Sequence, residues 1–209
     1  MNKIKAVIFD MDGVLIDAKE WHYEALNRAL RLFGIEIKRQ DHLAVYDGLS
    51  TSKKLEILSS KTNLPIGLHT LINNLKQKYT MDTVFSRCIP VPQHIDALEK
   101  LKNEGYRLAV CSNSVRQSVK IMMELSGLLK YLEFYLSNQD VVKSKPNPEM
   151  YNKAIARLQL QPNECLVLED NENGIKAALA SGSHLLRINT VDDVSYSNIR
   201  KRIDEIENT

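Results

Sequence analysis

The 209-residue sequence predicts an α/β fold, a doubly wound parallel sheet with an inserted all-helical cap domain. Three observations carry this. Short apolar runs alternate with amphipathic helical segments over most of the chain, the pattern of a parallel sheet covered by helices on both faces. Residues 17–82 show helical periodicity and no convincing buried strand. The first apolar run, Val7-Ile8-Phe9, ends abruptly in Asp10-Met11-Asp12-Gly13. Open parallel sheets present their strands' carboxyl ends to a ligand crevice, so these polar groups stand where a site belongs.

Taken in order, the elements follow from the same rules. Val7 to Phe9 read as a strand buried on both faces. Trp21, Ala25, Leu26, Ala29, Leu30 and Phe33 then recur at three- and four-residue steps until Gly34, which predicts the first cap helix. Two more amphipathic segments follow, 52–61 and 66–79. The core resumes with a helix over 93–103, a strand over 107–111, a helix over 115–125 and a short strand over 134–136. A helix over 149–158, a strand over 165–168, a helix over 172–180 and a last strand over 184–188 complete it. The expected division is a core of residues 1–16 with 83–209 and a cap of 17–82.

Composition narrows the partners. A net charge of +2 with 26% charged residues gives no electrostatic footprint for nucleic acid. Lys53-Lys54 and Arg200-Lys201-Arg202, the local basic clusters, read as solvated faces. Cys88, Cys111 and Cys165 are widely spaced and lack metal-ligand motifs, as expected of reduced thiols. No apolar stretch reaches the roughly 18 residues of a membrane span, and the N-terminus runs into a core strand rather than a signal peptide. The expectation is a cytoplasmic protein with no membrane association, no nucleic acid and no protein partner.

Asp10 and Asp12 suit the two tasks of a phosphoryl-transfer centre. A carboxylate at the strand end can attack phosphorus and hold a metal, and one on the turn beyond can protonate the leaving oxygen and then deprotonate water. Gly13 lets the backbone turn sharply and approach a phosphate. Ser112 and Asn113 follow the run Leu108-Ala109-Val110-Cys111 and can hold a phosphoryl oxygen, or, more simply, cap a helix. Glu169 and Asp170 close another apolar run and with Asp10 make a hard oxygen site suited to Mg²⁺, or else an acidic pair at a helix start. Lys145 and Lys143 are competing cations in one loop.

These elements together resemble the haloacid dehalogenase-like phosphotransferases. Asp10-Met11-Asp12-Gly13 is similar to that family's first motif, Ser112-Asn113 to its second, Lys145-Pro146-Asn147-Pro148 to its third, and Glu169-Asp170 to its fourth. Asp17-Ala18-Lys19-Glu20-Trp21-His22 resembles the cap entry of the β-phosphoglucomutase-like branch. The resemblance implies a Rossmann-like core and Mg²⁺ held at Asp10, Asp12, Glu169 and Asp170. It implies catalysis by Asp10 and Asp12, with the phosphate or substrate held by Gly13, Ser112, Asn113, Lys145, His22 and Thr51. His22 matches a cap histidine of the mutase branch, although a structural role suits it equally. Thr51 stands where the sugar mutases carry an arginine for the second phosphate. The expected activity is therefore a Mg²⁺-dependent phosphatase acting through an aspartyl-phosphate on a small phosphorylated substrate, a sugar phosphate being the expected kind. A phosphosugar mutase, a non-catalytic binding module and a dehalogenase are the alternatives.

Overall fold

A computed structural model of the chain, describing residues 3–208, resolves into two units, Met1–Asp17 with Ile89–Thr209 and Ala18–Cys88. In the first unit β1 (Ala6–Phe9), β2 (Arg107–Cys111), β3 (Phe134–Leu136), β4 (Cys165–Glu169) and β5 (His184–Arg187) form one sheet in the order β3-β2-β1-β4-β5. Every pairing is parallel. β1 is central, and the chain leaves it first for β2 on one side and later for β4 on the other. That reversal makes the carboxyl ends of β1, β2 and β4 the topological switch point, where α/β sheets take ligands.

The second unit holds α1 (Lys19–Arg31), the short α2 (Arg39–Asp41), a π-helical segment His42–Tyr46, α3 (Thr51–Lys61) and α4 (His69–Arg87). Leu26, Leu30, Ile37, Tyr46, Leu55, Leu58 and Ile72 form its core. The expected domain boundary at 82 falls inside α4, whose apolar Val84 is fully buried.

The first unit's helices are α5 (Pro92–Asn103), α6 (Arg116–Leu125), α7 (Glu149–Arg157), α8 (Glu172–Ala180) and α9 (Tyr196–Glu207). Ile8, Ala109, Cys111, Tyr151, Ala154, Cys165, Val167 and Ala178 pack together on one side of the sheet. Cys111 and Cys165 thus behave as small hydrophobes, and all three cysteines are free and buried. Neither α9 nor the π-helical segment belonged to the sequence-based series. The first has a legible apolar stripe in Ile199, Ile203 and Ile206; the second has no regular period. Lys54 also departs from expectation: it is buried on α3, whereas Lys53 beside it is exposed and pairs with Glu56 at 2.9 Å. Among the described residues no helix is long and apolar enough to cross a membrane.

Candidate active site

Phe9 is level with Val110 of β2 and with Leu168 of β4, so three adjacent strands finish together. Asp10 comes next after β1, with its amide donating to Leu168 O at 2.9 Å. Ser112 comes next after β2, its amide donating to Leu136 O at 3.0 Å. Glu169 is the last residue of β4. Neither Ser112 nor Asn113 caps a helix, because the N-cap of α6 is Val115. Nor do Glu169 and Asp170 start one: α8 is capped by Asn171, whose side-chain oxygen accepts from Gly174 N at 3.0 Å.

Of the two lysines in the loop before α7, it is Lys145 that enters the site; Lys143 is exposed. The Lys145 ammonium donates at 2.7 Å to each of Asp10 Oδ1, Glu169 Oε1 and Cys111 O. An ammonium has three N–H groups, and all three are engaged. Both carboxylates are buried, Glu169 completely. One oxygen each from Asp10, Glu169 and Asp170 lies within 4.8 Å of the others. Three carboxylates around one ammonium leave an excess of negative charge in an oxygen-only donor set, which fits a hard divalent cation. Protonation shows the same excess. Burial first, and then the Glu169 carboxylate, hold the Asp10 carboxyl well above the usual carboxylate range against the pull of Lys145. Burial works against the charge on Lys145, but Asp10 and Glu169 together raise it above its ordinary value, so the cation is permanent.

Asp12 is not part of that carboxylate trio. Its Oδ2 accepts from Ser114 Oγ at 2.7 Å and from Ser112 Oγ at 3.3 Å. The turn that carries it depends on Gly13, which has φ +93°. Gly13 N donates to Ile16 O at 2.7 Å, and Ile16 N returns to Met11 O at 2.9 Å. Asn113 faces the loop of Lys145: its side-chain amide donates to Lys145 O at 3.2 Å and accepts from Lys145 N at 3.1 Å. That side chain therefore ties the lysine loop to the end of β2.

Three neighbours were given no role in the site from the sequence. Tyr151, fully buried on α7, donates its hydroxyl to Glu169 Oε1 at 2.5 Å. Gly174 leaves room for the Glu169 carboxylate, since a Cβ there would lie 1.9 Å from Oε1. Ser114 holds Asp12. Only Gly174 had a signal in the sequence, a glycine near a helix start four residues after the acidic pair.

His22 and Thr51 belong to the other unit. His22 lies on α1 with Nδ1 3.0 Å from Lys76 Nζ of α4. Thr51 opens α3 behind its N-cap Ser50. Near them His42 is buried, and burial followed by Lys54 lowers its pKa to about 4.

The sequence profile described as "Haloacid dehalogenase-like hydrolase" matches residues 7–188. This chain belongs to that family. It is 28% identical over 180 residues to the phosphorylated carbohydrates phosphatase of Thermotoga maritima, covering 86% of this chain and 82% of the relative. It is 26% identical over 190 residues to the pyrophosphatase PpaX of Bacillus cereus, covering 87% and 81%. Among solved structures, β-phosphoglucomutase from Clostridium difficile superposes with a TM-score of 0.84 at 20% identity, over 99% of this chain and 100% of that one. CbbY from Rhodobacter sphaeroides, solved with phosphate, gives 0.78 at 22% identity over 88% and 85%. At those identities the two structures establish the fold, an α/β core with a helical cap. The chain is thus a haloacid dehalogenase-like hydrolase.

Proposed function

We propose that this hydrolase is a Mg²⁺-dependent phosphatase of small phosphorylated metabolites, sugar phosphates in particular. The observation that supports it best is Asp10 at the switch point, grouped with Glu169 and Asp170 and fixed by Lys145. The name of the Thermotoga relative supports the substrate class.

Each step uses one of these residues. Asp10 attacks phosphorus, forming an aspartyl-phosphate as the P–O ester bond breaks, and the departing oxygen takes a proton from Asp12. A water then gives a proton back to Asp12 and attacks the same phosphorus, which releases inorganic phosphate and restores Asp10. Lys145 offsets negative charge as the phosphoryl group arrives, and Ser112 and the turn at Gly13 hold its oxygens. Mg²⁺, held by Asp10, Glu169 and Asp170, would supply the positive charge that neutralises the phosphoryl oxygens. The buried free thiols suit a reducing compartment, which supports a cytoplasmic location.

The test is a screen of phosphorylated metabolites for phosphate release, with Mg²⁺ and with a chelator. Release that needs Mg²⁺ and is greatest for sugar phosphates is expected; full turnover in metal-free buffer, or no release from any ester, defeats the proposal.

A further inference from the structure

We infer that Ser114 is the positioning residue for general-acid catalysis: its hydroxyl clamps Asp12 Oδ2 and so presents Oδ1 to the leaving oxygen. The inference rests on the phosphatase reading above and adds a residue to it.

The two hydroxyls on Asp12 Oδ2 are not equivalent. Ser114 Oγ donates at 2.7 Å, the usual length for an O–H donor, and Ser112 Oγ at 3.3 Å, beyond it. Ser112 also accepts from Ser114 N at 2.9 Å through the same Oγ. Its hydroxyl proton is therefore the loosely held one, which can turn to a phosphoryl oxygen when substrate binds. Ser114 then keeps Asp12 in place. The backbone on both sides of this contact is fixed. Asp12 sits in the turn closed by Gly13 and Ile16, and Ser114 O accepts from Asn138 N at 3.1 Å. What remains adjustable is rotation of the Asp12 carboxylate, and the shorter of the two hydroxyl bonds to Oδ2, from Ser114, restrains it. Ser114 does not cap α6, since the N-cap of that helix is Val115, one residue later, with no side-chain cap bond.

A proton from Asp12 matters in proportion to how poor a leaving group the departing oxygen is. An alkoxide needs the proton; a nitrophenolate leaves without it. Misplacing a general acid costs about 100-fold when the acid is needed, at the low end of its usual contribution. The experiment compares Ser114→Ala with wild type on a sugar phosphate and on 4-nitrophenyl phosphate, with thermal unfolding of each protein alongside. The expected result is a loss of kcat/KM of about 100-fold on the sugar ester and a loss about tenfold smaller or less on the aryl ester. Ser114→Thr, which keeps a hydroxyl, should recover most of the activity on the sugar ester. Ser114→Cys, close in size and a weak donor, should show the same split as alanine and serves if the alanine variant does not fold. Equal losses on both esters, or undiminished activity on the sugar ester, overturn the clamp while leaving the phosphatase reading intact. A wild-type protein that releases phosphate from neither ester overturns the phosphatase reading and the clamp together.

Discussion

Glu169 and Gly174 occupy the same space: a Cβ on Gly174 would fall 1.9 Å from Glu169 Oε1 and 2.0 Å from its Cδ. Moving the carboxylate aside would break two bonds, because Lys145 Nζ and Tyr151 OH hold the same oxygen at 2.7 and 2.5 Å. Gly174→Ala should therefore cost about 1–3 kcal/mol through overpacking and weaken Mg²⁺ binding by turning Glu169 out of the trio. Urea unfolding and a Mg²⁺ titration check both effects; a variant as stable as the parent, with undiminished metal affinity, would show that Glu169 has room to move.

Asp10→Asn should abolish turnover without weakening the fold. An amide cannot act as the nucleophile, so the rate should fall about 10³-fold or more. Its oxygen can still accept from Lys145, and removing one charge from a crowded buried group relieves the repulsion that raises the Asp10 pKa. The unfolding temperature in metal-free buffer should equal or exceed that of wild type. Mg²⁺ should raise it less in the variant, which binds the cation more weakly. Near-normal turnover in a homogeneous preparation would take the nucleophile's role away from Asp10.

How much of this was legible depends on whether a residue's job shows in its neighbours along the chain. Asp10 and Glu169 could be read because a run such as Cys165-Leu166-Val167-Leu168 has no packing reason to end in acid. The bounds of β2, β3 and α8 matched the periodicity, since apolar spacing and burial are one signal there. Tyr151 could not be read: on an amphipathic helix it looks like any other core aromatic, and only the fold aims its hydroxyl at Glu169. Ser114 was obscured by its equally polar neighbours Ser112 and Asn113. Lys54 shows the opposite failure, since lysine pairs read as solvated and the packing of α3 buries one of the two.

Glu149 should make the stability of the Lys145 loop depend on pH. Its carboxylate accepts from Val142 N at 3.0 Å and Lys143 N at 2.8 Å, and Lys153 lies 3.0 Å away. Those bonds, in that order, lower its pKa from 4.5 to about 2. A depressed carboxyl contributes stability that is fully present above the unfolded value of 4.5 and is lost as pH falls through about 2. Glu149→Gln, with one acceptor oxygen in place of two, should be less stable than wild type at neutral pH. Their urea midpoints should converge as the pH drops through that window. A gap that stays constant down to the bottom of the window would mean that the charge on Glu149 is not what anchors the loop.

Thr51 bears on whether phosphate is released or moved. A mutase must keep a bisphosphorylated intermediate until it turns over, which calls for strong charged contacts to the phosphate that is not transferred. The resemblance to the mutase branch implies an arginine for that task, and threonine cannot form its bidentate, charge-assisted pair. Water should then intercept the aspartyl-phosphate, and a hexose 1-phosphate supplied with a trace of bisphosphate should yield free phosphate in stoichiometric amount. Thr51→Arg should tighten binding of bisphosphorylated sugars by about 1.5–3 kcal/mol, the contribution of a charge-assisted hydrogen bond. Phosphate release and binding titrations measure the two effects separately. If the wild-type protein instead accumulates the 6-phosphate isomer with little phosphate released, it is a mutase, and Lys53 and the buried Lys54 on α3 are the first residues to test for the contact that Thr51 cannot make.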